Sequence, residues 1–198
     1  VVCAQTCGPR AVDVAAVRLC VGRCDVGVIP SSTLFATAYG SALRAASARV
    51  ADRVAGTINP SDACLAKVTC CRTRVVVPVH YGGVGCEMDA IMEIAGQAGA
   101  SVVEDNAHGL FGRYRDRALG TLGRLATQSF HETKNITCGE GGALVINDES
   151  LVERDEIIRE NGTNRARFLR GQVDKDTWPD LAFSFPPSHR QPSVTRSP

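Results

Sequence analysis

The sequence predicts an α/β domain with both faces of its sheet covered, a three-layer sandwich. Short β-branched runs recur at Val75–Val79, Ser101–Glu104, Ala126–Phe130 and Ala143–Ile146, too short for helices and apolar enough for buried strands. A helical pattern separates the first two, with Met88, Ile91, Ile94, Ala95 and Ala98 spaced for one face. Strand, helix, strand, loop, strand is the alternation of a sheet packed between helices.

Along the chain, residues 1–24 hold Cys3, Cys7, Cys20 and Cys24 among Val, Ala and Arg, with weak periodicity of either kind. Residues 25–74 are rich in Ala, Ser and Arg, and the spacing there suggests a helix through Phe35–Val54. The strand at Val75–Val79 follows, then a helix within Cys86–Gly99, with Asp89 near its start and Gly99 at its end. Ser101–Glu104 is the next strand and ends in Asp105; a glycine-rich stretch (Gly109, Gly112, Gly120, Gly123) leads to the strand near Ala126–Phe130. After Ala143–Ile146, Ser150 and Glu153 suggest a capping box for a helix over Leu151–Glu160, closed by Asn161-Gly162. Residues 1–178 read as one domain and 179–198 as an irregular tail, because five prolines and few aliphatics follow Trp178.

The 198 residues, 44% hydrophobic with a net charge of +1, exclude wholesale disorder and supply no global field for nucleic acid. No stretch approaches the roughly 18 apolar residues of a membrane span. Nine cysteines is an odd count in a chain this long, so they read as reduced thiols of a cytoplasmic protein rather than a secreted disulfide framework. The chain opens on Val1 rather than Met, which suggests a fragment or a processed chain, and no charged and apolar leader of a signal peptide follows.

Ligands of open α/β sheets sit outside the carboxyl ends of the strands. Asp105 closes one strand, and Lys134 lies just past another. A lysine and an aspartate at neighbouring strand ends suit a pyridoxal ring: the amine condenses with the aldehyde, and the carboxylate pairs with the protonated ring nitrogen. Ser129 and the glycines of Gly139-Glu-Gly-Gly142 offer hydroxyl and backbone groups to a phosphate. Taken one at a time, a strand-end Asp is a loop or cap residue and a lone Lys a surface charge; spacing alone leaves both readings open.

Three segments resemble the DegT/DnrJ-type sugar-nucleotide aminotransferases: Val76-Val-Pro-Val-His-Tyr-Gly-Gly, Val102-Val-Glu-Asp-Asn-Ala-His-Gly, and Ser129-Phe-His-Glu-Thr-Lys-Asn-Ile-Thr-Cys-Gly-Glu-Gly-Gly. The continuation from Arg159-Glu-Asn-Gly to Trp178 is similar to the dTDP-4-amino-4,6-dideoxygalactose transaminase branch, which serves enterobacterial common antigen. The resemblance runs through Arg74–Trp178. It implies the large domain of the aspartate-aminotransferase fold, without the C-terminal small domain, and pyridoxal 5'-phosphate as cofactor. It also implies Lys134 as the lysine that binds the cofactor and shuttles the proton, and Asp105 on the pyridine nitrogen. His108 would lie near the phenolic oxygen and Ser129 on the phosphate. The implied reaction moves an amino group from L-glutamate to the 4-keto carbon of a dTDP-4-keto-6-deoxyhexose, in a homodimer. A related branch of dehydratases carries His in place of the lysine, so Lys134 favours transamination.

The likeness is thinner before residue 74. Gly8-Pro9 stands where the family has a hydroxyl residue and a small one, and Leu34 takes the slot of the stacking aromatic, with Phe35 one residue late. Arg53-Val-Ala-Gly-Thr-Ile-Asn-Pro60 stands where the family has a strand, an Asp and a turn. These departures suggest a crippled enzyme or a non-catalytic remnant.

Other constellations carry less. Cys3-x3-Cys7 and Cys20-x3-Cys24 are looser than zinc pairs, so no metal site is expected. His80 and His131 read as structural, though His131 adjoins the lysine. Arg165, Arg167 and Arg170 read as a solvated loop, with contacts to nucleotide-sugar phosphates or a partner subunit as the functional alternative.

Overall fold

The structure, a computed structural model, describes residues 1–5, 15–16, 19–33, 35–42, 44–159 and 161–180. In chain order its elements are β1 (Val2–Gln5), β2 (Val26–Pro30), α1 (Phe35–Ala42), β3 (Ser47–Ala51), α2 (Asp62–Val68), β4 (Thr73–Val76), α3 (Met88–Gln97) and β5 (Ser101–Asp105). Then come β6 (Arg113–Tyr114), β7 (Arg117–Ala118), β8 (Leu125–Ser129), β9 (Gly142–Ile146), α4 (Val152–Arg159) and α5 (Arg165–Leu169). Seven strands form one sheet in the order β1-β9-β8-β5-β4-β2-β3, and β6 and β7 form a small separate hairpin. β9 is antiparallel to both of its neighbours, β8 and β1, and the pairings from β8 through β5, β4 and β2 to β3 are parallel.

The apolar runs are continuous because both faces of the sheet are buried. Val75, Val77, Val103, Leu125, Leu144 and Ile146 face one core, which Ala15, Ala16, Leu151 and Ile158 close. Val26, Val28, Val76 and Val102 face the other, where Leu65 of α2 and Met88, Ile91 and Ala95 of α3 pack. Met88 and Ile91 are fully buried, each contributing about 1.5–3 kcal/mol of apolar transfer energy. Gly27 lets α1 approach β2, since a Cβ there would stand 2.3 Å from Ser41 Oγ.

Three expectations are corrected. The helix through Phe35–Val54 stops at Ala42, and β3 occupies Ser47–Ala51. Ala45, at φ 56°, turns the chain there, with Ala45 N–H on Ala42 O (2.9 Å) and Ala46 N–H on Ser41 O (3.1 Å), a Schellman ending with Ala in the usual glycine position. Ala-rich composition favours a helix locally, but pairing with β2 wins. Residues 1–24 are not featureless, because Val2–Gln5 pair with Gly142–Val145. The cap before the last long helix is Asp148 rather than Ser150: its carboxylate accepts from Ser150 N at 2.9 Å and opens a 3-10 turn, Glu149–Leu151, that feeds α4. The tail from residue 181 lies outside the described residues.

Candidate active site

The site is built where β5 and β8 end side by side. The two strands are parallel neighbours, and Asp105 is opposite Thr127, two residues before Ser129. Alternation along β5 sends Val103 and Asp105 to one face and Val102 and Glu104 to the other.

Beyond Ser129 the chain crosses to β9 through a twelve-residue connection, 130–141. Phe130 N–H donates to Gly141 O (2.8 Å), and Cys138 N–H to Phe130 O (3.0 Å), closing its base. Lys134 N–H donates to His131 O (3.0 Å), a turn that carries the lysine back over the strand end. Lys134, Ser129, His108, Tyr81 and Gly82 line one cleft of about 270 Å³.

Asp105 is buried near the cleft, within the fields of two residues that line it, His108 and Lys134. Thr37 Oγ1 donates to its Oδ2 (3.1 Å), and Ala107 N–H donates to its Oδ1 (3.1 Å). Burial pushes the Asp105 carboxyl above its usual range, against these two hydrogen bonds and the fields of His108 and Lys134. Among the described residues it forms no ion pair, so it is a desolvated carboxylate that lacks a close cation. Burial, then the Lys134 charge, holds the His108 pKa below its usual value. His108 Nδ1 accepts the Gly82 N–H at 3.4 Å, and the Tyr81 ring meets the imidazole edge-on with centroids 5.4 Å apart.

The adjacent Glu104 belongs to the frame. It accepts from His80 Nε2 (2.9 Å) and from the backbone N–H groups of Gly120 (2.8 Å), Leu122 (2.6 Å) and Gly123 (2.7 Å). Burial alone would raise the pKa of Glu104; the hydrogen bonds from His80, Gly123 and Gly120 outweigh it and hold the carboxyl low. His80 Nδ1 accepts from Cys86 N–H (3.2 Å), so the proton is on Nε2 and points at Glu104. The histidine is a structural residue, as the sequence suggests.

All four residues proposed from the sequence therefore gather here: His108, Ser129 and Lys134 line the cleft and Asp105 is buried near it. Thr37, Tyr81 and Gly82 also belong to the site, and nothing in the sequence marks them beyond their place near the Leu34–Phe35 pair and in the Val76–Gly83 segment. Gly8-Pro9, Leu34 and the side chain of Phe35 lie outside the described residues. Gly139-Glu-Gly-Gly142 leads into β9 and does not line the cleft. Arg167 pairs with Glu153 (2.5 Å) and Arg170 with Glu156 (2.6 Å), so two of the three arginines of that cluster tie α5 to α4 rather than standing free for a phosphate. Cys20 and Cys24 are exposed thiols, and Cys7 lies outside the described residues. No helix among the described residues is long and apolar enough to cross a membrane.

Comparison with known proteins defines the class. The chain is 34% identical over 160 residues to a GDP-perosamine synthase of Caulobacter vibrioides, covering 81% of this chain and 43% of that one. It is 35% identical over 144 residues to the spore coat polysaccharide biosynthesis protein SpsC of Bacillus subtilis, covering 72% of this chain and 37% of that one. An aminotransferase structure from Psychrobacter cryohalolentis superposes with a TM-score of 0.87 at 28% identity, and a 3-amino-5-hydroxybenzoic acid synthase with 0.90 at 26%. Both superpositions cover 98% of this chain and 50% of the other. The fold is thus that of an aminotransferase. The chain belongs to the DegT/DnrJ/EryC1/StrS aminotransferase family, whose model matches residues 2–181. That match extends on both sides of Arg74–Trp178, and in the stretch before it the structure has strand β3 and a turn closed by the Arg53–Pro60 bridge.

Proposed function

We propose that the chain carries the cofactor-binding half of a pyridoxal-phosphate-dependent sugar-nucleotide aminotransferase. The observation that carries this reading is the convergence of Asp105, His108, Ser129 and Lys134 on one pair of strand ends. The donor set fits the cofactor. Asp105 is a buried carboxylate that a protonated ring nitrogen would match, Lys134 offers a primary amine in the cleft, and Ser129 offers a hydroxyl.

Bound there, pyridoxal phosphate supplies an electron sink for the electrons left when the amino-bearing carbon loses its proton. Asp105 would hold a proton on the ring nitrogen, because a buried carboxylate attracts a cation strongly. His108 keeps Nε2–H as a donor, since Nδ1 is taken by Gly82 N–H. Lys134 would hold the cofactor through its primary amine. The same amine would serve as the base that takes up a proton and the acid that returns it.

The finer reading follows the motifs of Arg74–Trp178: L-glutamate as donor, the 4-keto carbon of a dTDP-4-keto-6-deoxyhexose as acceptor, surface-polysaccharide sugar synthesis as context, and a homodimer as the assembly. Two relatives with polysaccharide or nucleotide-sugar names support the sugar class. The chain spans 37% and 43% of their length, so the complete reaction is proposed for the whole protein.

A single-turnover assay tests the reading. The chain loaded with pyridoxal phosphate should release up to one equivalent of 2-oxoglutarate from L-glutamate, and Lys134→Ala none. Continued release when a dTDP-4-keto sugar, but not its GDP counterpart, is added would support the finer substrate. Release of none by the wild type would make the chain at most a cofactor-binding remnant.

A further inference from the structure

The loop between β3 and α2 carries an unassigned residue at the centre of the site's scaffold. Asn59 is 5% exposed and uses its whole amide on a neighbouring loop. Its Nδ2 donates to Val84 O and to Gly85 O, each at 3.1 Å, and its Oδ1 accepts from Tyr81 N–H at 3.1 Å. One side chain thereby satisfies three backbone groups of the Tyr81–Gly85 loop, which forms a wall of the cleft at Tyr81 and Gly82. That wall bears on His108 in three ways. Gly82 N–H donates to its Nδ1 (3.4 Å), the Tyr81 ring packs on its edge, and a Cβ on Gly83 would come within 3.2 Å of its carbonyl oxygen. Gly82, at φ 60°, holds a conformation that other residues rarely take.

The same loop is anchored on its other side. Ser32 Oγ donates to Ile58 O at 2.7 Å, and Ser32 lies in the segment that leads into α1 and Thr37, the partner of Asp105. The loop thus braces both flanks of the site without lining the cleft.

The geometry points to Asn59 as a positioning residue that, through the Tyr81–Gly85 loop, keeps Gly82 N–H on His108 Nδ1 and so fixes the imidazole as the Nε2–H tautomer. This inference rests on the proposed reading of the cleft as the pyridoxal phosphate site. Without Asn59, three backbone groups lose their partners, the loop loosens, and both ring nitrogens of His108 become candidates for the proton. The charged groups whose fields reach His108, Lys134 and Asp105, stay in place.

The test separates tautomer from cofactor binding. Long-range proton–nitrogen correlation spectra of the uniformly labelled, cofactor-free full chain report which nitrogen of His108 is protonated, with His108→Gln giving the assignment. The wild type should show the Nε2–H tautomer, and a proton on Nδ1 there overturns the inference. Asn59→Ala should give a tautomer mixture and a His108 pKa moved toward its ordinary value. Its pyridoxal phosphate dissociation constant, read by absorbance titration, should rise about tenfold. Asn59→Asp, of nearly the same shape, keeps the acceptor for Tyr81 N–H but loses both donors, and should fall between the two; it decides the matter if Asn59→Ala does not fold. A folded variant of either kind with the wild-type His108 tautomer and pKa overturns the inference. Failure of the wild type to bind the cofactor would instead sink the proposed function, leaving the tautomer result to stand by itself.

Discussion

Glu104 and Asp105, consecutive carboxylates at the end of β5, are driven in opposite directions: Glu104 is held below the usual carboxyl range and Asp105 above it. Strand alternation sends them to opposite faces. Glu104 meets one imidazole N–H and three backbone N–H groups, whereas Asp105 receives a hydroxyl and one backbone N–H. Both are buried, so the difference lies in the donors. The first carboxylate is satisfied by the protein; the second is left wanting a cation, as suits a ligand-binding group.

Removing Glu104 should therefore unfold rather than merely inactivate. Glu104→Ala leaves His80 Nε2–H and three backbone donors without an acceptor, a loss on the order of 3–5 kcal/mol. Urea denaturation of the variant measures it. The pH sign follows from the lowered folded pKa. Stability from Glu104 is fully present above its unfolded pKa and is lost as pH falls through the folded one. A variant no less stable than the wild type at neutral pH would contradict this.

Asp105→Asn should do the opposite. The raised pKa means that ionised Asp105 costs stability at pH above its folded pKa, and that this cost vanishes below the unfolded pKa. The cofactor-free variant should be at least as stable as the wild type at pH 7, and the gain should disappear in acid. Its affinity for pyridoxal phosphate should fall at least tenfold. Thermal melts at two pH values and an absorbance titration check both halves.

Much of this site was legible in the sequence, and what was missed shares a cause. The acid end of β5, the lysine after β8 and helix α3 are written in local patterns of branched residues and 3.6-residue spacing. β3 was hidden, because Ser47–Ala51 is an edge strand with alternating exposure only at its end and Ala-rich neighbours. β1 was hidden because its pairing lies about 140 residues away along the chain, with Val2 opposite Val145. Asn59 and the His80–Glu104 pair gain their meaning from partners 22 to 26 residues away. The basic cluster at 165–170 misled because charges on one short segment say nothing about the acidic face of α4 opposite them.

The cysteines should divide by burial. Burial, helped by the charges of Glu104 and Asp105, pushes the Cys86 thiol up to about 12, and its Sγ donates to Val79 O at 3.2 Å. Cys20, Cys24 and Cys71 are exposed. Iodoacetamide at pH 8 followed by peptide mass analysis should label those three in the native chain and Cys86 only in denaturant. Prompt native labelling of Cys86 would mean that the β4–β5 region opens.

Phe111 sits at φ 68° with 79% of its surface exposed. The left-handed backbone costs a side-chain-bearing residue roughly 1–2 kcal/mol, while glycine adds about 0.5–1 kcal/mol of chain entropy to the unfolded state. Phe111→Gly should be net stabilising by about 0.5–1 kcal/mol, visible as a higher urea midpoint with an unchanged slope. A lower midpoint would show that the ring is packed.

In the proposed function Lys134 is the cofactor lysine of an intact site. Incubation of the chain with pyridoxal phosphate, borohydride reduction and peptide mapping test it most directly, with Lys134→Ala as control. One stoichiometric adduct on Lys134, absent from the variant, is the predicted result. Adducts scattered over several lysines and unchanged in the variant would contradict it.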